Sequence, residues 1–202
     1  MKNLIITCHV EPLQKVSDIT YLDDFFKKSK FIKFPIIYLL MYGERAGGRI
    51  LARYHYDHKF GLHIHNETRL AFQEYKKYFG SYPRDISFGH WNFDKNDLIT
   101  AEKFGVKRDY SYSAYKSNDR YFFKQPFKIG GIIEYPATCD PVLPLTPITL
   151  WKHFFMVLVM LPLIKLNGNI QLHFSFHSYD IYSDWFSKSR WFVIKFLIGV
   201  LK

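Results

Sequence analysis

Short apolar runs of strand length recur along this chain and alternate with stretches that have the 3.6-residue spacing of amphipathic helices. Strands that alternate with helices favour βαβ units, so the pattern predicts a mostly parallel sheet. The predicted strands are residues 3–8, 34–40, 59–65, 85–88, 106–112, 131–136 and 170–176, and the predicted helices are residues 21–30, 67–79, 97–104 and 149–166. We expect an α/β fold in a single domain spanning residues 1–202, a length that permits a substantial core.

Two apolar segments near the end of the sequence need separate attention. Residues 158–163 lie within the predicted long helix, which contains Lys152, Pro162 and Lys165 and is short for a membrane span, so we expect a buried helix. Residues 189–202 form an apolar segment with basic residues near both ends. This segment has two interpretations, a final helix that packs on the core and a helix that lies on an anionic membrane surface, and the packing interpretation is favoured.

Residues of the types that bind metal ions stand at the ends of three predicted strands. They are His9 and Glu11 after the first strand, His63, His65 and Glu67 at the third, and His177 at the last. Because alternate side chains of a strand share a face, His63, His65 and Glu67 would point to the same side. Imidazole and carboxylate are ligands that suit Zn²⁺ and similar ions. The carboxyl ends of parallel strands meet at one edge, which predicts a site there.

Charge and composition narrow the classes of partner. The formal net charge of +10 favours anionic partners such as acidic lipids or phosphate-bearing substrates. The sequence has no Lys/Arg-rich block and no nucleic-acid-binding motif, so nucleic acid is not an expected partner. Its two cysteines do not make a disulfide framework, and residues 1–8 enter a strand rather than a signal peptide. We therefore expect a cytoplasmic protein.

Taken together, these segments resemble the motifs of the polysaccharide deacetylase superfamily (the NodB-homology domain), and in particular its short bacterial members associated with surface-polysaccharide biosynthesis. The segments that carry the resemblance, in order, are residues 9–11, 61–67, 87–91, 131–136 and 174–180. The resemblance implies a distorted (β/α) barrel. It also implies a metal-dependent hydrolase that removes an N-acetyl group from an acetamido sugar during O-antigen or capsule biosynthesis.

The resemblance further implies roles for individual residues. The implied metal ligands are Glu11, His63 and either His65 or Glu67; the implied catalytic residues are His9 as base, His177 as general acid and Asp180 as its support; and Trp91 and His90 would line the sugar groove. The implied cofactor is a divalent metal ion, with zinc as the first choice. The implied substrate is an acetylated sugar or a lipid-linked saccharide, with the segment at residues 189–202 as a contact to the inner membrane.

Three positions depart from the pattern of the superfamily. His9 stands where the superfamily has a catalytic Asp, Glu67 stands where it has a second ligand His, and Ser87 stands where it has an Arg. An imidazole titrates near neutrality, so His9 could act as a base or, in its neutral form, as a ligand beside Glu11. The alternatives are thus an active sugar deacetylase, an amidohydrolase for a non-sugar amide, and a degenerate protein that binds saccharide or a partner enzyme.

Overall fold

A computed structural model describes residues 4–10, 36–41, 59–65, 67–89, 94–112, 125–137 and 171–177, together with separate helical positions between 155 and 199. The strands are β1 (Leu4–Val10), β2 (Ile37–Met41), β3 (Lys59–Ile64), β4 (Asp85–Phe88), β5 (Arg108–Asp109), β6 (Phe127–Ile129), β7 (Ile132–Glu134) and β8 (Leu172–His177). The helices with full bounds are α1 (Thr68–Phe79) and α2 (Lys95–Lys103). The predicted helix at residues 21–30 lies outside the described residues.

The strands form one eight-stranded sheet in the order β6-β7-β5-β4-β3-β2-β1-β8. Neighbouring strands run parallel, except that β6 and β7 are antiparallel. β1 and β8 are neighbours although they lie far apart in the sequence, and their register pairs Leu4 with Leu172 and His9 with His177. The predicted parallel sheet is therefore confirmed.

The sheet curls until its two margins meet. β7 and β8 lie towards opposite ends of the strand order, yet Nδ1 of His173 in β8 is 2.9 Å from the carbonyl oxygen of Tyr135, just after β7. The ring of Tyr110, which follows β5, meets the ring of His173 edge-on at a centroid distance of 5.3 Å. These contacts cross the interior of a barrel. The expected distorted (β/α) barrel is confirmed.

The two faces of the sheet have different surroundings. Leu62, Ile64 and Ile86 belong to a hydrophobic core that also contains Phe72 of α1 and Leu98 of α2. Because successive strand residues point to opposite faces, the positions between them face the barrel interior. This alternation places apolar side chains under the helices and leaves the interior face for polar side chains.

Local signals in the sequence set the ends of the helices. Asp94 caps α2: its Oδ1 accepts hydrogen bonds from the backbone N–H groups of Asn96 (2.7 Å) and Asp97 (2.9 Å). The carboxylate of Asp97 in turn accepts from the N–H of Asp94 at 3.1 Å, which completes a capping box and starts the helix slightly earlier than expected. α1 ends at Gly80, whose positive φ of 72° suits glycine.

One feature of the fold differs from expectation. Strand β6 was not predicted; it forms a short antiparallel hairpin with β7 through Gly130, which has a φ of 61°. The predicted long helix is helical at the described positions Phe155, Val159 and Leu166, whose side chains are exposed, and at Leu158, which is half-buried; most of its other positions lie outside the described residues, so the expectation of a buried helix stays a prediction. In the described part of the chain, no helix is long and apolar enough to cross a membrane.

Candidate functional site

Three buried imidazoles meet at the carboxyl ends of β1, β3 and β8. The ring of His9 stacks on the ring of His63, with a centroid distance of 4.3 Å and an interplanar angle of 24°. The ring of His177 meets the ring of His9 edge-on at a centroid distance of 4.9 Å. We call these three residues the histidine cluster. The structure thus brings together three of the residues that the sequence singled out.

Strand register explains how these side chains meet. His9 and His177 are register partners in neighbouring strands. His63 reaches His9 across β2, where Leu39 is the register partner of both His9 and Gly61. A Cβ atom on Gly61 would lie 2.5 Å from the carbonyl oxygen of Asp85, so only glycine allows β3 to lie this close to β4. This close approach fixes the position of His63 in the barrel.

The hydrogen bond of His63 selects the tautomer of its neutral ring. Nδ1 of His63 lies 3.2 Å from the carbonyl oxygen of Ser87, and because a carbonyl can only accept, Nδ1 carries a proton. In the neutral ring, the lone pair is then on Nε2. Metal-binding histidines commonly donate their other ring N–H to a backbone carbonyl in this way. His63 therefore fits the role of a metal ligand.

His65 extends the cluster towards the surface. Its ring lies edge-on to the ring of His63 at a centroid distance of 4.7 Å. A Cβ atom on Gly89 would lie 2.7 Å from ring atoms of His65, so the glycine after β4 makes room for this imidazole. His65 is thus in direct contact with a proposed ligand.

Glu67 lies in a different local environment from the histidines. β3 ends at Ile64, so the alternation of strand side chains does not extend to Glu67. Glu67 is the N-cap of α1, with a left-handed φ of 50°, and it lines a surface depression together with Thr68 and Asp97. His65 contacts His63, whereas Glu67 lies at the start of α1. The structure therefore favours His65 over Glu67 as the neighbour of His63.

The remaining predicted site residues, Glu11, His90, Trp91 and Asp180, lie outside the described residues. Among the residues that the structure does describe, no three His, Cys, Asp or Glu side chains are arranged to hold a metal ion. A complete set of metal ligands would therefore include a residue, such as Glu11, that lies outside the described part of the chain.

Polar residues below the cluster on the same face were not assigned to the site from the sequence. Oγ of Ser175 lies 3.5 Å from Nε2 of His9. Nδ1 of His173 bonds to the Tyr135 carbonyl at 2.9 Å, and its Nε2 lies 2.8 Å from Oγ1 of Thr7. Burial lowers the pKa of His173 to about 4, so the ring is neutral, with the proton on Nδ1 and the Thr7 hydroxyl donating to Nε2. The alternation of His173, Ser175 and His177 could have revealed this polar column.

A second group of buried ionisable side chains lies on the opposite face of the sheet. Asp109 and Glu134 are register partners on β5 and β7, and Asp109 also pairs with Ile86, which belongs to the core under the helices. Oδ1 of Asp109 accepts from the N–H (3.1 Å) and the hydroxyl of Ser111, and Oε1 of Glu134 accepts from the N–H of Tyr112 (2.8 Å). We call Asp109 and Glu134 the carboxyl pair.

Burial raises the pKa values of the carboxyl pair. The pKa of Asp109 rises to about 6, and burial together with the nearby charge of Asp109 raises the pKa of Glu134 well above its usual range. The other two oxygens, Oδ2 of Asp109 and Oε2 of Glu134, have no donor among the described residues. A proton on Glu134 that is donated to Asp109 would pair these two oxygens with each other, which agrees with the raised pKa values.

Solved structures with the same fold include polysaccharide deacetylases. A protein from Mycobacterium smegmatis assigned as a polysaccharide deacetylase matches with a TM-score of 0.63 at 11% identity, over 96% of this chain and 83% of that chain. A protein from Bordetella bronchiseptica assigned as a polysaccharide deacetylase involved in O-antigen biosynthesis matches with a TM-score of 0.59 at 10% identity, over 98% and 84%. A peptidoglycan N-acetylglucosamine deacetylase matches with a TM-score of 0.52 at 14% identity, over 98% and 81%.

At these identities the likeness shows a shared fold. No protein-family model matches the sequence, and no curated protein matches it either. What the chain does must therefore be argued from its own site.

Proposed function

We propose that this chain, which has the fold of polysaccharide deacetylases, is a metal-dependent hydrolase that removes an N-acetyl group from an acetamido sugar. The observation that carries the proposal is the histidine cluster, in which Nδ1 of His63 bonds to the Ser87 carbonyl and Nε2 of the neutral ring would bind the metal ion. Buried ionisable groups that converge at the carboxyl ends of barrel strands are typical of active sites.

The ligands of the proposed metal ion come from two parts of the chain. His63 and His65 would bind it, together with Glu11 from the end of the first strand, and Glu67 is the alternative to His65. Zinc is the first choice because imidazole and carboxylate suit it. When bound, such an ion lowers the pKa of a water molecule and polarises a carbonyl oxygen.

The proton transfers are assigned to the two other members of the cluster. In the hydrolysis a bond forms between the water oxygen and the acetyl carbon, and the bond from that carbon to the sugar nitrogen breaks. His9 would take a proton from the water, and His177 would give a proton to the departing nitrogen. Two protonated imidazoles this close would repel each other, so the two rings are not both protonated. The reaction requires His9 to be neutral and His177 to be protonated, with Asp180 as the expected support of His177.

The proposed substrate is an acetylated sugar or a lipid-linked saccharide of O-antigen or capsule assembly in the cytoplasm. The net charge of +10 suits an anionic, phosphate-bearing substrate. The neighbour from Bordetella bronchiseptica is assigned to O-antigen biosynthesis, which supports this class of pathway. Trp91 and His90 remain the expected groove residues.

A second function, saccharide binding without catalysis, is favoured by the identity of the residue at position 9. His9 stacks on His63, whereas the resemblance places a carboxylate base at this position. An imidazole stacked on a ligand histidine supplies no negative charge to a metal ion. A protein of this kind would bind the saccharide, or a partner enzyme, in the same groove.

Metal content, measured by mass spectrometry on the purified protein, separates the two functions. We expect about one zinc ion per chain in the parent protein, a loss in His63→Ala, and retention in His153→Ala, a matched control at a histidine that is not an expected ligand. The parent protein and His153→Ala should release acetate from at least one sugar of a panel of acetylated sugars, and His63→Ala should not. A parent protein that takes up no metal after incubation with zinc would contradict the hydrolase and support the binding protein.

A further inference from the structure

In the last part of the chain, two groups of described helical positions expose apolar side chains. The first group contains Phe155, Val159 and Leu166, which are 57%, 73% and 84% exposed. The second contains Phe192 and Phe196, which are 69% and 41% exposed. Within each segment the spacing of these residues places them on one helix face. We call them the first and second apolar stripes.

The stripes differ from the other exposed apolar residues of the described chain. Leu70, Tyr78 and Ile99 are each about half exposed and belong to α1 and α2, whose other faces pack on the core. Scattered apolar residues of this kind are common on protein surfaces. Several strongly exposed apolar residues along one helix face instead indicate an interaction surface.

The charges of the two segments identify the kind of partner. Residues 151–166 and 185–202 contain no Asp or Glu. Their basic residues are Lys152 and Lys165 in the first segment and Lys188, Arg190, Lys195 and Lys202 in the second. Helices that combine an apolar face with basic residues and aromatic rings are typical of anionic membrane surfaces, where rings enter the interface and basic groups meet lipid phosphates.

We propose that the two apolar stripes bind this protein to the surface of an anionic membrane. The apolar side chains enter the boundary between headgroups and acyl chains, and the lysines and the arginine of the same segments contact the headgroup phosphates. The membrane interpretation of residues 189–202 thereby replaces the packing interpretation for the second stripe and extends to the first. Because the stripes lie outside the histidine cluster, membrane binding does not depend on the proposed hydrolase activity.

Flotation of the full-length protein with vesicles tests the proposal. The vesicles contain phosphatidylcholine alone or with about 30% phosphatidylglycerol, an anionic lipid fraction that attracts basic segments. We expect binding to the anionic vesicles only, and weaker binding in about 0.5 M salt, where charges are more strongly screened. Two double variants are compared with the parent. The first carries Val159→Glu and Leu166→Glu in the first stripe, and the second carries Phe192→Glu and Phe196→Glu in the second stripe. Tyr78→Glu with Ile99→Glu is the matched control on α1 and α2.

We expect each stripe variant to weaken vesicle binding by roughly 50-fold or more, because it removes two apolar side chains and adds two negative charges. The control should bind like the parent, and circular dichroism should show that all variants are folded. Quenching of the parent protein's tryptophan fluorescence by brominated lipid tests contact with the membrane without any substitution. The proposal is overturned if the parent does not bind anionic vesicles, if both stripe variants bind like the parent, or if sedimentation shows a dimer that the stripe variants dissociate.

Discussion

The histidine cluster and the carboxyl pair are both groups of buried ionisable side chains at strand ends, but they lie on opposite faces of the sheet. The cluster faces the barrel interior, and its members come from β1, β3 and β8. The carboxyl pair shares its face with the core under α1 and α2, and its members are direct register partners. The comparison shows that burial of charge alone does not identify a catalytic site.

What separates the two groups is how their hydrogen-bonding needs are met. Asp109 bonds to Ser111 and Glu134 bonds to Tyr112, and the two carboxyl groups interact with each other. Their partners thus come from the end of β5 and from each other. In the histidine cluster, the Ser87 carbonyl bonds to one nitrogen of His63, and the proposed function assigns the other nitrogen to a metal ion. The first group would then stabilise the fold, and the second would take part in the proposed reaction.

The largest expected effect comes from removing the ligand nitrogen of His63. His63→Gln should lower the rate of deacetylation by roughly 1,000-fold or more, since the metal ion and its activated water would be lost. The free energy of unfolding, measured without metal, should change by only about 1 kcal/mol, because the amide can still donate to the Ser87 carbonyl. Acetate release and urea denaturation measure the two effects. A loss of stability with full activity in His63→Gln would contradict the assignment of His63 as a metal ligand.

The carboxyl pair should show the opposite behaviour. Glu134→Ala should lower the free energy of unfolding by about 3 kcal/mol, since it leaves the N–H of Tyr112 and Oδ2 of Asp109 buried without a partner. Glu134→Gln is the matched control: its amide can donate to Asp109 and its oxygen can accept from Tyr112, so we expect a cost of about 1 kcal/mol or less. Zinc content should be unchanged in both variants. Loss of zinc in folded Glu134→Gln would show that the pair belongs to the active site.

The carboxyl pair and His173, which lies below the histidine cluster, should respond to pH in opposite directions. The pKa of Asp109 is raised to about 6 and that of Glu134 is raised further, so the folded state holds protons more tightly than the unfolded chain, and stability falls as pH rises through about 6 and above. The pKa of His173 is lowered to about 4, so its contribution is present above about 6.5 and is lost as pH falls towards 4.

Urea denaturation across this pH range checks these signs. For a shift as large as that of His173 the contribution is about 3 kcal/mol. Glu134→Gln should flatten the decline on the alkaline side, and His173→Asn should flatten the decline on the acidic side. Stability that rises with pH through about 6 in a His173→Asn background would contradict the raised pKa values of the carboxyl pair.

The smallest expected effect distinguishes His65 from Glu67 as a ligand. Gly89→Ala places a methyl group against the ring of His65, so the imidazole must turn away. If His65 is a ligand, zinc affinity should fall by roughly 10-fold, while the free energy of unfolding changes by about 1 kcal/mol or less. Zinc titration measures the affinity. An unchanged affinity would assign the ligand role to Glu67, for which Glu67→Gln is the complementary test.

Much of the fold could be predicted from the sequence because its strands are nearly continuous apolar runs. β1, β3 and β4 begin and end close to their predicted bounds, since buried parallel strands have an apolar pattern that a single chain shows directly. β6 was missed because a three-residue strand in a hairpin has almost no periodicity. The start of α2 was placed late because the capping box begins at Asp94, before the first apolar position of the helix.

The site could be predicted only in part. His9, His63 and His177 were identified because each lies at the end of an apolar strand, and strand ends meet in a parallel sheet. Strand alternation suggested a position for Glu67 that the structure does not support, because the strand ends at Ile64. The carboxyl pair could not be found from the sequence, since Asp109 and Glu134 are adjacent only through the register of β5 and β7.

The pairing of β1 with β8 has a consequence for the synthesis of this protein. The ribosome adds His177 long after its neighbour His9, because the two residues lie far apart in the sequence. Contacts between such distant segments form slowly, and until β8 arrives one edge of β1 has no strand to pair with. An exposed strand edge can pair with other chains and aggregate. The step that completes the histidine cluster is thus also the step that ends this exposure, so assembly of the site and escape from aggregation coincide.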